Sequence, residues 1–175
     1  MSETEFLRQL IRDVPDFPKP GILFKDITTL LSDPRGLACA VKAMSSPFAG
    51  AGIDRVVGVE ARGFILGAPV ALDLGCGFVP VRKEGKLPGD TARAEYDLEY
   101  GRAAVEIHRD SIDRGSRVLL ADDVLATGGT MRAVCDLVEE LGGEVAGISF
   151  LVELLGLGGR SGLEKFRIES VIAYD

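Results

Sequence analysis

The feature of this sequence that most constrains its fold is a series of short runs that are apolar on both sides of an extended chain. The runs are DRVVGVE, GFVPVRK, SRVLLADD and EVAGISFLVEL, with VIAY near the end. Segments with helical periodicity separate them, such as the one that starts at Met131 and stops at Gly142 and Gly143. Strands that are buried on both faces and joined through helices are typical of parallel sheets. The sequence therefore predicts an α/β fold with a central, mostly parallel sheet and helices on both faces.

Two segments do not fit this alternation. In PDFPKPGILFKDIT, three prolines forbid a helix and favour an extended arm. The arm ends before Asp33, which we interpret as the N-cap of a helix whose first residue is Pro34. The second segment, RKEGKLPGDTARAEYDLEYG, is polar and rich in glycine, as binding loops and lids often are. A chain of 175 residues fits one domain, and we expect residues 1–175 to form it.

Charge and hydropathy exclude several classes of protein. The formal net charge of -7 argues against a broad nucleic-acid surface, although an anionic small molecule could bind a local basic pocket. No apolar run approaches the roughly 20 residues that span a bilayer, and the N-terminus lacks the pattern of a signal peptide. We therefore expect a soluble, cytoplasmic protein with no membrane partner.

Cysteine and histidine offer little chemistry in this sequence. Cys39, Cys76 and Cys135 lie far apart in apolar surroundings, which predicts small buried residues rather than disulfides or a metal cluster. His108 lies in AAVEIHRD, where apolar and polar residues alternate as in a half-exposed strand. We interpret it as a solvated strand residue rather than a catalytic base.

Two adjacent carboxylates, Asp122 and Asp123, stand where a buried strand is predicted to end, and small residues and hydroxyls follow them. The following loop consists of Ala126, Thr127, Gly128, Gly129 and Thr130, and it leads into a helix. Ligands of open parallel sheets bind beyond the carboxyl ends of the strands, where helix N-termini favour anions. The glycines let the backbone approach an anion and the threonines add hydroxyl donors. The pattern predicts a phosphate-binding loop.

The two carboxylates would repel a phosphate placed directly beside them. They are explained if the phosphate belongs to a sugar, because two ionised acids can accept hydrogen bonds from two neighbouring ribose hydroxyls. The expected ligand is a ribose 5-phosphate. A strand that ends in an Asp cap and a glycine turn is the alternative, and it explains one acid but not the whole set. A Walker loop is excluded because GK[ST] is missing.

Two further groups could bind an anion. GVEARGF places Glu60, Ala61 and Arg62 after a predicted strand, either as a second anion-binding turn or as an ordinary strand-to-helix turn. The other group has three cations within five residues at a strand end: Arg82, Lys83 and Lys86. Such cations could stabilise a departing pyrophosphate, and a solvated basic run is the alternative.

Residues 118–130 resemble the phosphoribosyl diphosphate (PRPP) binding signature of the type I phosphoribosyltransferases. The resemblance covers almost the whole chain, in blocks that occur in the family's order: DFPKPGILFKDIT, GVEARGF, VRKEGKLPG, YDLEYG, LLADDVLATGGTM and LVEL. It implies the type I phosphoribosyltransferase fold, with a small N-terminal hood (1–33), a flexible β-hairpin lid loop (83–95) and a homodimer. The implied reaction moves the phosphoribosyl group of PRPP to a base and releases pyrophosphate.

The spelling ADDVLATGGT and the ILFKD arm favour adenine as the base and AMP as the product. Hypoxanthine, guanine and xanthine are the alternatives on the same scaffold. A PRPP-sensing transcription regulator would need a DNA-binding module and a basic face, and the sequence indicates neither. A PRPP synthetase is expected to be a much longer chain.

The resemblance also implies roles for individual residues. Asp122, Asp123 and residues 126–130 would bind ribose and its phosphate. Glu60, Ala61 and Arg62, with a cis peptide between the first two, would bind pyrophosphate together with Arg82, Lys83 and Lys86. Mg²⁺ would bridge diphosphate and ribose oxygens largely through water and substrate, with no direct protein ligand named.

The base would be bound by the arm and handled by one carboxylate. Phe24 would stack on the purine, and backbone groups of Leu23 and Lys25 would read its edge. Glu99 would face the base and manage the proton at N7 as N9 attacks. Glu95 and Asp97 share its strand face, so a solvated acidic stripe is the alternative. Lys25 and Glu60 stand where some relatives carry arginine and aspartate.

Overall fold

A computed structural model of the chain describes residues 1–97 and 101–175, and its elements follow the predicted alternation. The strands are β1 (Arg12–Pro15), β2 (Leu23–Asp26), β3 (Arg55–Val59), β4 (Gly77–Lys83), β5 (Thr91–Asp97), β6 (Arg102–His108), β7 (Arg117–Leu125), β8 (Glu144–Leu154) and β9 (Ile168–Tyr174). The helices are α1 (Glu3–Leu10), α2 (Thr28–Ser32), α3 (Pro34–Ser45), α4 (Arg62–Leu74) and α5 (Gly129–Glu140), with 3₁₀ turns at Ser46–Phe48 and Leu155–Leu157. None of the helices in the described part is long and apolar enough to cross a membrane.

Within the described residues, the main sheet has seven strands in the order β5-β6-β4-β3-β7-β8-β9. In the part of the sheet with the order β4-β3-β7-β8-β9, adjacent strands run parallel. At one edge, β6 pairs antiparallel with both β4 and β5. The prediction of a mostly parallel central sheet is confirmed. Its physical origin is the pattern seen in the sequence, since β7 and β8 bury residues on both faces.

Helices cover both faces of the sheet and form two apolar cores. On one face α5 packs through Val134, Leu137 and Val138, and on the other α1, α3 and α4 cover the sheet. The predicted start of α3 is confirmed, because the Asp33 side chain accepts a hydrogen bond of 2.6 Å from the Gly36 N–H. Past the end of α5, Gly142 adopts a φ of +90°, which glycine reaches without strain.

The proline-rich arm forms a small antiparallel sheet of β1 and β2, next to α1 and α2. In α1, Ser2 and Glu5 form a reciprocal capping box. The segment 83–95, expected as a flexible β-hairpin loop, contains strand as well as connecting loop. Residues 84–90 connect β4 to β5, and Thr91–Glu95 already pair with β6. The strand forms because Ala92, Ala94 and Tyr96 alternate toward the core.

The expectation of a half-exposed strand around His108 was wrong for its neighbour Glu106. Glu106 is buried because β6 lies between β4 and β5, and its carboxylate accepts a 3.0 Å hydrogen bond from the Gly85 N–H. His108 Nε2 lies 2.8 Å from the Pro88 carbonyl oxygen, which ties β6 to the 84–90 connection. All three cysteines of the described chain are free, and Cys135 is fully buried, whereas Cys39 and Cys76 are half-buried.

Candidate active site

The acid pair lies at a fork in the sheet. Strand β7 pairs with β3 only as far as Ala121, opposite Gly58, and β3 ends one residue later. Beyond that point β7 continues to Leu125 alongside β8. The predicted strand end at the acids was therefore too early. Asp122 and Asp123 lie inside β7, where the loss of the β3 neighbour opens a crevice beside them.

A cavity of about 620 Å³ occupies this crevice, a size typical of small-molecule sites. Most of the predicted site residues line it: Phe24, Lys25, Glu60, Ala61, Arg62, Lys83, Asp122, Asp123, Ala126 and Thr130. The structure thus brings together residues from four parts of the sequence. Both aspartates face the cleft, as the ribose interpretation requires.

A smaller cavity of about 100 Å³ is enclosed by the loop between β7 and α5. Asp122 and several apolar neighbours line it. All five predicted loop residues also line it: Ala126, Thr127, Gly128, Gly129 and Thr130. Gly128 precedes α5 with a φ of +78°, and α5 starts at Gly129. The first N–H groups of a helix lack intrahelical partners, so this loop can donate to an anion.

Asp122 is held tightly beside its neighbour. Its Oδ1 accepts a 2.8 Å hydrogen bond from the Asp123 N–H, and it lies against Gly63, where a Cβ would come within 2.7 Å of it. Burial raises the pKa of Asp122 well above 3.8, and the charge of Asp123 raises it further. The pair therefore resists carrying two negative charges in the folded protein.

Arg62 supplies the nearest positive charge to this pair. Its Nε lies 2.6 Å from Asp123 Oδ2, so the two groups form an ion pair. The N–H is not aligned for a hydrogen bond, and the buried Oδ2 therefore accepts none within the described structure. The same guanidinium lies 5.5 Å from the centroid of the Phe24 ring. Arg62 thus bridges the acid pair and the aromatic wall of the cleft.

The peptide between Glu60 and Ala61 is cis, as the resemblance implied. Glu60 accepts a 3.0 Å hydrogen bond from the Lys83 N–H, and Arg82 Nε lies 3.2 Å from the same carboxylate. The hydrogen bond from Lys83 and the nearby Arg82 lower the pKa of Glu60. Glu60 is therefore ionised at neutral pH and joins the end of β3 to the end of β4.

The basic group divides between the cleft and its surroundings. Lys83 lines the cavity, whereas the lining formed by the described residues does not include Arg82 or Lys86. Arg82 turns to Glu60 and donates a 3.2 Å hydrogen bond to the Lys86 carbonyl oxygen. Arg82 therefore fixes the turn that presents Lys83.

The arm supplies the aromatic wall of the cavity. Phe24 packs edge-to-face on Phe17, with ring centroids 5.1 Å apart. The Lys25 ammonium lies 2.7 Å from Asp13 and 4.1 Å from the centroid of the Tyr174 ring. The side chain of Leu23 is half-exposed and lies outside the cavity lining among the described residues.

Sequence reasoning missed the apolar residues of the lining. Val124 and Leu154 stand at the carboxyl ends of neighbouring strands, and Tyr96 reaches the cavity from β5. Val124 continues the apolar alternation of the strand beyond the two acids, and this pattern could have identified it as a lining residue. On the predicted acidic stripe, Glu95 pairs with Arg93 at 2.7 Å and Asp97 with Arg102 at 3.3 Å. Glu99, the predicted catalytic carboxylate, lies outside the described residues.

The comparisons with known proteins agree with this geometry. The family model of the phosphoribosyl transferase domain matches residues 35–165, which defines the class of protein. The adenine phosphoribosyltransferase of Clostridium perfringens is 58% identical over 169 residues, covering 97% of this chain and 98% of its own. The crystal structure of the Rhodothermus marinus enzyme superposes with a TM-score of 0.93 at 52% identity, covering 98% of both chains. The chain belongs to the adenine phosphoribosyltransferase family.

A liganded crystal structure is also similar. The Saccharomyces cerevisiae adenine phosphoribosyltransferase, complexed with D-2,5-dideoxy-2,5-imino-altritol 1,6-bisphosphate and adenine, gives a TM-score of 0.93 at 39% identity. The match covers 97% of this chain and 98% of the yeast chain.

Proposed function

We propose that this protein transfers the 5-phosphoribosyl group of PRPP to adenine, giving AMP and pyrophosphate in purine salvage. The observation that carries the proposal is the single cleft in which an acid pair, a phosphate-sized loop cavity and an aromatic wall meet. The yeast relative, complexed with adenine and a sugar bisphosphate analogue, supports the same ligand classes.

The ribose 5-phosphate end of PRPP fits the β7–α5 connection. Backbone N–H groups of residues 126–130 would bind the phosphate, with the Thr127 and Thr130 hydroxyls as further donors. The vicinal ribose hydroxyls would donate to Asp122 and Asp123. This division keeps the phosphate on the loop and the diol on the acids, which limits repulsion between the anions.

The diphosphate end fits the β3–α4 turn. In the reaction the bond from the anomeric carbon to the diphosphate oxygen breaks, and the electron pair leaves with pyrophosphate as N9 of adenine attacks. Arg62 and Lys83 would stabilise the charge that develops on pyrophosphate, beside the backbone of Glu60 and Ala61. We keep Arg82 and Lys86 in this group because the Arg82 hydrogen bond holds the turn of Lys83 and Lys86 beside the cleft.

The resemblance implies Mg²⁺ as a cofactor, and the residues fit a metal held mainly by substrate. The described residues contain no cluster of three or more His, Cys, Asp or Glu side chains that could hold a metal. The buried Asp123 Oδ2 accepts no hydrogen bond within the described structure and would need Arg62 to move before it could accept one from a water of the hydration shell. When bound, Mg²⁺ would neutralise charge on the departing diphosphate.

The adenine subsite would be formed by the arm. Phe24 would stack on the purine, while the backbone groups of Leu23 and Lys25 would read its polar edge. Lys25 is held by Asp13, so its backbone position is braced by β1. Apolar contact from Val124 and Leu154 would complete the pocket.

We propose that Glu99 accepts the proton that N7 of adenine loses as N9 bonds to the anomeric carbon, which leaves the base of AMP neutral. The exposed neighbours Glu95 and Asp97 pair with arginines, which fits the solvated part of the acidic stripe. Glu99→Gln should lower kcat by about 100-fold or more with little change in PRPP affinity. Glu95→Gln is the matched control and should stay near wild type. Equal effects of the two changes would reassign the proton transfer.

The lid and the assembly complete the proposal. Residues 83–95 would close over the cleft and exclude water that could hydrolyse PRPP.

We also propose a homodimer, supported by the exposed Ile65 and Leu72 on α4, the helix that starts at Arg62. The free thiols fit a reducing compartment, and we place the reaction in the cytoplasm. Light scattering of wild type and Leu72→Lys tests the assembly, because a dimer through this face should become monomeric.

The decisive experiment follows labelled adenine in the presence of purified protein. Conversion to AMP should require both PRPP and Mg²⁺, and adenine should outcompete hypoxanthine, guanine and xanthine. A protein that forms no AMP under these conditions, or that prefers another base, would refute the proposed reaction or its base specificity respectively.

A further inference from the structure

Arg132, in the first turn of α5, places its guanidinium against the phosphate-binding loop. A Cβ on Gly128 would lie 2.9 Å from its Nη1, and one on Gly129 would lie 3.7 Å from its Nη2. The backbone N–H of Arg132 also donates to the Gly128 carbonyl at 3.0 Å. In the described part of the chain, Arg132 therefore brings a positive charge into contact with the loop's two glycines.

Arg132 also ties the loop to a second segment, residues 155–163, which we call the brace. Its Nη1 donates to the Ser161 carbonyl oxygen, and its side chain lies along Gly162, where a Cβ would come within 2.7 Å of its Cδ. These contacts stretch the arginine across the junction between the brace and α5. Its position is consequently fixed from two sides.

The brace packs backbone to backbone on the phosphate-binding loop. A Cβ on Gly159 would lie 2.3 Å from the Ala126 carbonyl oxygen, and one on Gly128 would lie 2.1 Å from the Gly159 carbonyl oxygen. No side chain fits between the two segments. Any movement of the brace would therefore be transmitted to the loop.

The brace is itself anchored at two points. From its second half, Arg160 donates two hydrogen bonds of 2.7 Å to Glu153 at the end of β8, and that carboxylate is buried. At its end, Leu163 is fully buried in the core. Because the brace is anchored, its contacts with Arg132 hold the guanidinium and its positive charge in one position.

A fixed positive charge has a function in this place because the site is rich in negative charge. The sugar phosphate would lie beside Asp122 and Asp123, and the nearby Arg62 is already paired with Asp123. The Arg132 hydrogen bond goes to a neutral carbonyl, and Glu164 is a carboxylate close enough to share its charge, so part of that charge acts on the loop.

We infer that Arg132 is a positioning residue for the 5′-phosphate: it locks the glycines of the loop to the brace and adds positive charge behind them. The inference rests on the proposed function, because it deepens the assignment of the same phosphate subsite. Arg132 does not touch the reacting atoms, so its effect should appear in phosphate binding rather than in the chemical step.

The test compares Arg132→Gln, which removes the charge but keeps a donor, with Arg132→Lys, which keeps the charge. Calorimetry should show AMP binding weakened by about 5- to 30-fold for Arg132→Gln and by about 3-fold or less for Arg132→Lys. Adenine affinity and kcat at saturating PRPP should stay unchanged. The deficit of Arg132→Gln should shrink at high salt, because screening weakens the lost attraction in wild type.

The matched control is Arg167→Gln, since Arg167 directly precedes β9 and so lies at the amino ends of the parallel strands, away from the crevice at their carboxyl ends. It should bind AMP as wild type does. Equal AMP affinity of Arg132→Gln and wild type would overturn the inference, as would a parallel loss of adenine binding. If Arg132→Gln does not fold, Arg132→Met, which also removes the charge, takes its place: selective weakening of AMP binding supports the inference, and unchanged AMP affinity overturns it. A wild-type protein that binds no AMP would instead contradict the proposed function.

Discussion

Replacing Asp122 by asparagine should make the protein more stable while impairing it as an enzyme. The Asp122 carboxyl is buried beside a second acid, and its raised pKa means that folding disfavours the charged form. Asparagine keeps the Oδ1 that accepts the Asp123 N–H. It removes the negative charge without opening a cavity, because the two side chains have nearly the same shape.

The size of the gain follows from the lost repulsion. Two charges about 5 Å apart repel by about 3 kcal/mol at an effective dielectric constant of about 20. The attraction between Asp122 and the positive charge of Arg62 reduces this figure. We expect a net stabilisation of about 1–2 kcal/mol at pH 7, or about 2–8 °C in Tm for a chain of this size. Losing a charged acceptor for ribose should weaken PRPP binding about 10- to 100-fold.

The pH dependence gives the prediction its sign. Below the ordinary Asp pKa of 3.8, Asp122 is protonated in both states and the variant gains nothing. As the pH rises through the raised pKa of the folded protein, wild type loses stability that the variant keeps. Urea unfolding at pH 4, 6 and 8 should therefore show a growing difference.

Asp136→Asn is the matched control, because Asp136 is an exposed acid on α5. Its stability relative to wild type should change little over the same pH range. The reasoning would be refuted by an Asp122→Asn protein less stable than wild type at pH 8, or by a stability gain that is the same at pH 4 and pH 8.

Three further changes probe other contacts. Glu153→Gln should cost about 1–2 kcal/mol at pH 7, because hydrogen bonds from Arg160 lower the pKa of Glu153. The cost should vanish in urea unfolding as the pH falls through that lowered pKa, since the acid is then neutral in wild type too. Gly159→Ala should lose about 2–4 kcal/mol in the same assay, because its Cβ would lie 2.3 Å from a backbone oxygen of the phosphate-binding loop. Gly156→Ala, with open space around it, should not. Phe24→Leu should raise KM for adenine about 5- to 10-fold at unchanged KM for PRPP, and steady-state kinetics in which both constants rise equally would contradict its assignment to the base.

The sequence predicted those parts of the fold whose signal is local. Strands such as β7 and β8 are read from continuous apolar runs, and α3 from its cap at Asp33. The strand that carries Glu95 and Asp97 was predicted from their alternation, but its start at Thr91 was not, because Arg93 and Glu95 give this stretch the polar character of a loop. The burial of Glu106 depends on the strand order, and no local pattern encodes that order.

The candidate site divides in the same way. The acid pair and residues 126–130 are contiguous, so the chemistry of the phosphate subsite is visible in a short stretch. The contact of Arg62 with Asp123 joins residues 61 positions apart, and it exists only because β3 and β7 are neighbours. Leu154 enters through the register of β8 beside β7. Tertiary pairing of this kind has no period and no composition by which it could be recognised.

Because β3 and β7 are hydrogen-bonded neighbours, the distance between the turns that follow them is fixed by the sheet. In the proposed function the turns after these two strands would hold the two ends of the sugar-phosphate ligand, and hydrogen-bonded strands lie about 4.8 Å apart whatever the loops contain. The wall that would face the base belongs to a separate two-stranded sheet, residues 12–26. Replacing this short hairpin should therefore change the nucleobase preference, while the spacing of β3 and β7 would continue to set which sugar phosphate fits.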